Sequence, residues 1–473
     1  MQSDYSSSMI PYALFGNRKT NERFVSTLET LGQKFGQSIP RSSAHKREME
    51  GIYHFFNSKR VMAEGILLGE RNRLVQYIVN ECPSTILSIG DVTTLDYRNK
   101  RCAAKTNFVT SKNRPGYNVL SQLLCDGQGV PLGLFDQFCW NYKAEELGKR
   151  RQRQHLPIEL KETGHYLRQW QSLNQTFSSC VQSRFIHLFD RAADVHELLQ
   201  TQGQGHIFYI IRSKNNRTLL EQDITISDLL DSLPPSGGYT YQINKQSPKK
   251  ETFIEIKRQN GLKTETRKAK IEVTFTTATL RASNATPKRP LRPFQVSIVR
   301  AKEVDVPPTV EAIQWTLYTT LPLNSFEDAL EVIYFYTLRW QIENFHYTLK
   351  QGAKVEELQL EEPRAILNAI ATYSLLAVQV ARLRYLAEKN PSLDIQSTGF
   401  TKQDYTILAL YLNSKNNLKM ELSPSVVTVE KFAQLISILG GNHNRNKIGV
   451  QSIWWGLQEF SIIKQAFTTF SSA

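Results

Sequence analysis

The feature that most constrains the fold is a succession of strand-like runs separated by turn residues. TILSIGDVTTLDYRN is apolar, rich in β-branched residues and carries Asp91, and GYNVLSQLLCD and GVPLGLFDQFCW follow it. Such runs predict three consecutive strands in a meander. A charged helical stretch, Lys143 to Gln175, comes next. RFIHLFDRAADVHELLQ then predicts a strand that ends at Asp190 and passes into a helix, and GHIFYIIRSKN predicts a strand that closes with Arg212.

This order of strands and helices resembles the ribonuclease-H-like layout, so we expect the α/β fold class. A chain of 473 residues is long enough for three or four structural units. A basic strand-rich segment from about Gly237 to Pro308 interrupts the pattern. Between Tyr241 and Arg300 it carries 14 Lys or Arg against 4 Glu and no Asp. After Gln359 the chain is expected to be mainly helical.

The charge balance predicts a polyanionic partner. Lys and Arg total 58 against 44 Asp and Glu, which gives a formal net charge of +14. Nucleic acid is therefore the expected ligand. Two or three short helices are predicted from Asn17 to about Val61, and they concentrate basic residues that include Arg18, Lys19 and Arg23. This region is a candidate DNA-binding module, and the alternative is a basic helical cap on the next domain.

Cysteine usage and hydropathy predict a protein of the reducing cytoplasm. The five cysteines are odd in number and contain no C-x-x-C pair, which argues against a disulfide framework and a zinc site. The N-terminus lacks the pattern of a secretory signal. The longest apolar stretch, AILNAIATYSLLAVQVARL, is interrupted by polar residues. It is therefore expected to be a buried helix, with no membrane span.

The segment YTLRWQIENFHYTLK, Tyr336 to Lys350, reads as one amphipathic helix. At about 100° per residue its apolar residues gather within roughly 80° and predict a buried face. Tyr336, Arg339, Glu343 and Lys350 fall within roughly 60° on the opposite side. Four groups able to handle phosphate or metal thus share one strip. Taken alone, such a strip is more often a solvated helix surface.

Two distant carboxylates strengthen the interpretation of this strip as a site. Asp91 lies in a middle strand and Asp190 at the end of another, and the predicted fold would bring both beside Glu343. Three carboxylates suit Mg²⁺, which prefers oxygen ligands, and paired ions can drive an in-line phosphoryl displacement. Each residue also has a structural alternative, since Asp91 could be a polar strand residue and Asp190 a helix N-cap.

The same residues carry a resemblance to a known family. The spacing of Tyr336, Arg339, Glu343 and Lys350 matches the Y-x2-R-x3-E-x6-K signature of DDE transposases of the insertion-sequence-four family. GNRKTNERF, YHFFNSKRV, DVTTLDYR, DRAADVH and RSK resemble phrases of its transposon-five group. The likeness runs from about Gly16 to Phe467. This chain departs from the family pattern at three positions: Ala192 stands where the family frequently has Glu or Gly, and Tyr347 and Leu349 stand where it has a basic residue and Trp.

The resemblance implies a role for each residue. Asp91, Asp190 and Glu343 would form the metal-binding triad for Mg²⁺, with Mn²⁺ as a substitute. Phosphate contacts would come from Tyr336, Arg339, Lys350 and Arg212, and Trp315 would stack on a base flipped out while the DNA end forms a hairpin. The alternative for Trp315 is a core aromatic. The implied partners are duplex DNA with terminal inverted repeats, target DNA and a second copy of the chain in a synaptic dimer.

The resemblance also implies a division of the chain. We expect a helical DNA-binding domain (1–70), a ribonuclease-H-like core in two parts (71–236 and 309–385), a basic β insertion (237–308) and a helical dimerisation region (386–473). The predicted function is a cut-and-paste DNA transposase in the bacterial cytoplasm, associated with the nucleoid. Two alternatives remain, a ribonuclease-H-like nuclease without strand transfer and a catalytically silent, transposase-derived DNA-binding protein.

Overall fold

A computed structural model describes residue 9 and residues 15–149, 152, 156–201, 205–243, 267–282, 291–308, 310–416, 419–442 and 448–471. Parts of the predicted basic β segment, residues 244–266 and 283–290, lie outside the described residues. The described residues contain nine strands, which are β1 (Thr85–Asp96), β2 (Gly116–Asp126), β3 (Pro131–Trp140), β4 (Arg184–Phe189), β5 (Ile207–Arg212), β6 (Gly237–Ile243), β7 (Arg267–Leu280), β8 (Phe294–Val304) and β9 (Gln314–Thr319).

Helices flank these strands along the chain. They are α1 (Arg18–Gln33), α2 (Ile39–Ser42), α3 (Lys46–Asn57), α4 (Ala63–Glu81), α5 (Gly164–Phe177), α6 (His196–Leu199), α7 (Ile226–Ser232), α8 (Phe326–Leu338), α9 (Trp340–Tyr347), α10 (Pro363–Lys389), α11 (Lys402–Asn416), α12 (Val429–Leu439) and α13 (Val450–Ser471). The chain divides into two compact units. The first contains residues 1–150 and 340–473, and the second contains residues 151–339.

The first unit contains the predicted meander. Strands β1, β2 and β3 pair antiparallel, and Asp91 lies opposite Ser121 in the register. Helix α10 packs against β3, α4 and α3. Of the helices that the structure describes, only α10 is long and apolar enough to cross a membrane, and most of it is buried in this unit. The side chain of Asn368 donates to the carbonyl oxygens of Phe56 (2.9 Å) and Val61 (3.0 Å), so a polar residue inside the apolar stretch fixes the N-terminal helices.

The N-terminal helices form around an aromatic core. Phe15, Phe24 and Phe55 have ring centroids 5.3 to 5.7 Å apart. Asn17 begins α1, because its side chain accepts a hydrogen bond from the backbone N–H of Thr20. The prediction of two or three short helices is confirmed by α1, α2 and α3.

The second unit is built on a mixed sheet with the order β4-β5-β9-β8-β7-β6. Strands β4 and β5 run parallel, and every later neighbour pairs antiparallel. The predicted strand character of the basic segment is confirmed by β6, β7 and β8. Within the charged stretch predicted to be helical, α5 begins at Gly164, and two short 3-10 helices, Ala144–Glu146 and Ile158–Leu160, precede it; residues 150–151 and 153–155 of this stretch lie outside the described residues.

Two further predictions have clear outcomes. All five cysteines are free thiols, as predicted. The prediction of one continuous helix from Tyr336 to Lys350 is wrong. Helix α8 ends at Leu338, α9 begins at Trp340, and a π-helical turn covers Thr348–Gly352. At Arg339 the hydrogen bonding is that of a 3-10 turn, because its backbone N–H donates to the carbonyl oxygen of Tyr336, three residues earlier, rather than to that of Phe335.

Candidate functional site

The predicted polar strip of the Tyr336–Lys350 segment is not a solvated helix surface. Tyr336 is only 5 % exposed, and Arg339, Glu343 and Lys350 are half-buried. Solvent instead reaches Trp340, which is 60 % exposed, and other residues outside the strip. A long polar side chain loses hydration when it is buried, so it needs local partners. The residues of the strip are therefore more buried than those of a solvated helix face.

The sheet of the second unit places Asp190 and Arg212 side by side. Phe189 and Ile211 are opposite each other in the parallel register of β4 and β5. Asp190 directly follows Phe189 at the end of β4, and Arg212 follows Ile211 as the last residue of β5. Both residues therefore lie at the same level at the carboxyl ends of the two strands. Ligand sites of α/β sheets commonly form at this edge.

Trp315 lies beside Arg212 on the neighbouring strand. Arg212 is opposite Leu317 in the register of β5 and β9, and Trp315 is two residues away on the same face. The guanidinium carbon of Arg212 lies 5.9 Å from the centroid of the Trp315 ring. The Trp315 and Tyr336 rings meet edge to face with centroids 5.3 Å apart. The structure thus brings together three residues that the sequence predicted as DNA contacts.

The charged groups of Asp190, Arg212 and Arg339 all act on the Tyr336 hydroxyl. Burial raises the pKa of Tyr336, the Asp190 carboxylate also raises it, and Arg339 and Arg212 oppose the rise. Burial lowers the pKa of Arg212, and the nearby cations Arg191 and Arg339 lower it further. The hydrogen bond and charge interaction with Tyr336 raise this pKa and so oppose the shift. Two guanidinium groups, those of Arg212 and Arg339, and the Asp190 carboxylate therefore act on a buried hydroxyl, and Arg191 adds a third cation that acts on Arg212. The guanidinium groups can bind phosphate oxygens through paired N–H donors.

Asp190 takes the capping role that the sequence offered as an alternative to metal binding. Its side chain accepts a hydrogen bond from the backbone N–H of Ala192 (2.9 Å), and it begins a 3-10 turn, Arg191–Ala193. Asp190 is thus an N-cap, as the structural alternative predicted. One carboxylate oxygen has enough lone pairs to accept this bond, and the second oxygen adds further acceptor capacity. Capping is therefore compatible with binding a cation.

In the first unit, the segment with Glu343 lies along β1. Helix α9, which carries Glu343, packs against β1, which carries Asp91. The ammonium group of Lys350 donates to the carbonyl oxygen of Thr94 at 2.9 Å and lies 3.7 Å from a carboxylate oxygen of Glu356. The predicted phosphate contact Lys350 is therefore tied to the strand that contains Asp91.

The donor chemistry of the three carboxylates fits a hard divalent cation. Asp91, Asp190 and Glu343 are half-buried, which keeps their oxygens within reach of a ligand. Asp91 and Glu343 belong to the first unit and Asp190 to the second. Within the described ranges, no three His, Cys, Asp or Glu side chains are grouped closely enough to hold a metal ion. The triad therefore stays a prediction.

The predicted basic contacts of the N-terminal helices are at the surface. Arg18, Lys19 and Arg23 all lie on α1 and are exposed. Arg18 forms an ion pair with Glu22 at 2.6 Å, and its side chain is 90 % exposed. Such a pair contributes little to stability, so the cation is available to an external anion.

Sequence analysis missed three residues of these surroundings as site candidates. Arg191 adds a cation beside Arg212, Asp194 binds the loop that follows Arg212, and Glu356 faces Lys350. Arg191 and Asp194 lie in the run DRAADVH directly after Asp190. Their proximity to Asp190 in sequence was the available signal.

Two family models match the chain. Residues 6–61 match a transposase DNA-binding domain, and residues 167–378 match a transposase DDE domain. The first range contains the exposed cations of α1. The second range contains Asp190 and the cluster around Tyr336, as well as Glu343 and Lys350, whereas Asp91 precedes it.

Proposed function

We propose that this chain, whose two matched domains support a DNA transposase of the DDE type, is a cut-and-paste transposase of the insertion-sequence-four family. It binds terminal inverted repeats, nicks and hairpins the transposon ends and joins them to target DNA. The DDE match implies a ribonuclease-H-like core. Several phrases of the sequence resemble the transposon-five group of this family.

One observation supports the proposal above the others. Arg212, Trp315, Tyr336 and Arg339 gather beside the strand end that Asp190 follows, within the region that matches the DDE domain. Guanidinium groups bind phosphate oxygens, an aromatic ring can stack on an extruded base, and a carboxylate can hold a cation. Cleavage and rearrangement of a DNA end require all three.

The proposed reaction is a series of phosphoryl transfers. Water attacks the phosphorus at the transposon end, and the 3′ oxygen leaves and becomes a free hydroxyl. That hydroxyl attacks the opposite strand, which closes a hairpin and releases the flanking DNA. A second water opens the hairpin, and the regenerated 3′ hydroxyl attacks the target DNA. No covalent bond to the protein forms in this sequence.

The residues of the chain divide these tasks. Asp91, Asp190 and Glu343 are assigned to a divalent cation, with Mg²⁺ as the proposed ion and Mn²⁺ as a substitute. When bound, such ions polarise the attacking and leaving oxygens. Arg212 and Arg339, aided by Tyr336 and Lys350, hold the phosphates on either side of the reacting bond. Trp315 holds the flipped base, because stacking stabilises a base outside the duplex.

The remaining parts of the chain supply binding and assembly. The exposed cations of α1 would contact the inverted repeat, and the strands of the basic segment (237–308) would contact flanking or target DNA. The helices after residue 386 would pair two copies in a synaptic complex. The domain division 1–70, 71–236, 237–308, 309–385 and 386–473 belongs to this proposal, and so does a nucleoid-associated location in the bacterial cytoplasm.

The test is a reconstitution with purified protein. The substrates are DNA ends taken from the sequences that flank the gene, with a supercoiled plasmid as the target and Mg²⁺ in the buffer. Nicks, hairpins and joined products are expected in that order. Nicking without hairpins or joined products would favour the nuclease alternative. Binding without nicking would favour the catalytically silent DNA-binding protein.

A further inference from the structure

Asp194 organises the loop that follows Arg212. Its carboxylate is buried, and one oxygen accepts hydrogen bonds from the backbone N–H groups of Lys214 (2.7 Å) and Asn215 (2.8 Å). The other oxygen accepts from Arg217, through Nη2 at 2.6 Å and Nε at 3.1 Å. A buried carboxylate is stable only when such donors replace its lost hydration. Asp194 and these donors from Lys214, Asn215 and Arg217 therefore form one fixed unit, which we call the Asp194 clamp.

The strand beside the loop holds it from the opposite side. Ser213 donates from its hydroxyl to the Tyr318 hydroxyl (2.9 Å), which in turn donates to the carbonyl oxygen of Asn215 (3.2 Å). Burial, with a contribution from Asp194, raises the pKa of Tyr318 to about 12, so its hydroxyl keeps its proton at neutral pH. Tyr318 is on β9, three residues after Trp315.

The Asp194 clamp connects two segments of the candidate site. Asp194 ends the 3-10 turn that Asp190 caps, because its backbone N–H donates to the carbonyl oxygen of Arg191. Its partners begin two residues after Arg212. Arg191 and Arg212 repel each other, so their side chains need an external constraint to stay close together. The clamp supplies this constraint, because it ties the turn after β4 to the loop after β5.

We propose that Asp194 is a positioning residue for DNA cleavage, acting by holding Arg212 at the level of Asp190. This inference rests on the proposed function and assigns a role to a residue that does not itself touch DNA. A misplacement of about 1 Å in a positioned group can reduce a rate by about 100-fold. Loss of the clamp is therefore expected to slow cleavage while leaving the exposed DNA-binding surface of α1 unchanged.

The Asp194→Asn variant breaks the clamp with little change in size. Its amide NH₂ must face either Arg217 or the two backbone N–H groups, so donor meets donor on one side. Single-turnover nicking of prebound DNA ends is compared for the wild type, Asp194→Asn, Arg212→Ala and the double variant. Asp223→Asn is the matched control. The Asp223 side chain is 89 % exposed, and its ion pair with Arg281 lies at the surface.

The expected result is a loss of about 10- to 100-fold for Asp194→Asn, with wild-type affinity for DNA ends and no change for Asp223→Asn. In the Arg212→Ala background, Asp194→Asn should have little further effect, since both changes remove the same interaction with DNA. An equal loss in both backgrounds would mean that Asp194 supports only the fold, and it would overturn the inference. Wild-type nicking by Asp194→Asn would overturn it as well.

Misfolding of the variant and failure of the proposed function can each be told apart from failure of the inference. If Asp194→Asn does not fold, Arg217→Lys takes its place in the same cycle, because Lys keeps the charge but loses the two N–H donors to one oxygen. Absence of nicking by the wild type would refute the proposed function and, with it, the inference. Wild-type nicking combined with an additive cycle would refute the inference alone.

Discussion

Replacement of Trp315 tests the proposed mechanism at one step. The Trp315 ring is half-buried. Its contacts are with the Tyr336 ring, at a centroid distance of 5.3 Å, and with the Arg212 guanidinium, at 5.9 Å. Because Trp315 is only half-buried, part of its surface is accessible to solvent, and in the proposed mechanism a base stacks there. We therefore expect the Trp315→Ala variant to have two separable effects, one on the stability of the protein and one on hairpin formation.

The two effects differ in size and in assay. Removal of the edge-to-face pair costs about 0.5 to 1.5 kcal/mol, and removal of the cation–π interaction with Arg212 about 0.5 to 1 kcal/mol. These two contacts together lower the free energy of unfolding by about 1 to 2.5 kcal/mol, and the loss of the buried apolar area of the ring adds to this fall. Stacking on a base is worth about 1 to 3 kcal/mol. Hairpin formation should therefore slow by about 5- to 150-fold, since about 1.4 kcal/mol corresponds to a factor of 10.

The assay starts from DNA ends that already carry the nick, so that hairpin formation is measured apart from the first cut. Trp315→Phe keeps an aromatic ring at this position and should lose less than Trp315→Ala. Tyr334→Ala is the control, because Tyr334 is 46 % exposed on the same helix as Tyr336. We expect control rates within about twofold of the wild type, as for most surface substitutions.

Abasic ends separate stacking from a structural role. The substrates carry a single missing base at successive positions near the cut. If Trp315 acts by stacking, one of these ends should remove the difference between the wild type and Trp315→Ala, since no base is left to stack. Equal losses of nicking and hairpin formation, unchanged on every abasic end, would refute the reasoning. The ring would then be a core aromatic, as the structural alternative holds.

Three more predictions concern charge. Glu343→Ala should abolish nicking but keep end binding in a gel-shift assay, and loss of both would indicate a structural role. Joint replacement of Arg18, Lys19 and Arg23 by Ala should make the affinity for DNA less dependent on salt. The steepness of log affinity plotted against log salt should fall by up to about 0.9 for each phosphate that the variant no longer neutralises. An unchanged slope would exclude these residues from the DNA interface. Burial lowers the pKa of His187 to about 3, so below about pH 6.5 the unfolded chain binds a proton that the folded chain does not. The free energy of unfolding should fall by up to about 5 kcal/mol as the pH drops from 6.5 to 3. Urea unfolding of a His187→Phe variant tests this, and an unchanged pH dependence would show that His187 is not the group responsible.

The strands could be predicted because their signals are local. Runs of β-branched residues with turn residues between them gave β1, β2 and β3, and the run ending at Asp190 gave β4. Parallel pairing of β4 with β5 then accounts for the proximity of Asp190 and Arg212. The burial of the apolar stretch in α10 could also be predicted, because polar residues such as Asn368 interrupt it and require buried partners.

The helix from Tyr336 to Lys350 shows where local signals fail. No Gly or Pro occurs between these residues, so no recognised breaker predicts the turn at Arg339. A helical wheel assumes an unbroken helix with a uniform rotation per residue. The chain instead changes units between Arg339 and Trp340, and tertiary packing overrides helix propensity. The buried face was nevertheless predicted correctly, because Ile342, Phe345 and Leu349 are fully buried.

The Asp194 clamp was beyond sequence analysis for a different reason. Its partners Lys214 and Asn215 are about 20 residues away, and they donate from the backbone. A backbone donor has no side-chain signature, so no residue type or spacing indicates this interaction. Side-chain bonds to remote backbone groups have to be read from a structure.

The departures from the family pattern can also be interpreted from the structure. At position 192 only the backbone N–H is used, since it donates to Asp190, so an Ala there leaves the cap intact. Leu349 is fully buried, and its exchange for Trp changes packing without moving a charge. Tyr347 is different, because it is 46 % exposed and its ring lies 5.8 Å from that of Trp454. A basic residue at 347 would place a cation on this surface, three residues before Lys350. If the surface meets DNA, Tyr347→Lys should increase end affinity and its salt dependence, and an unchanged affinity would place this side of α9 outside the DNA interface.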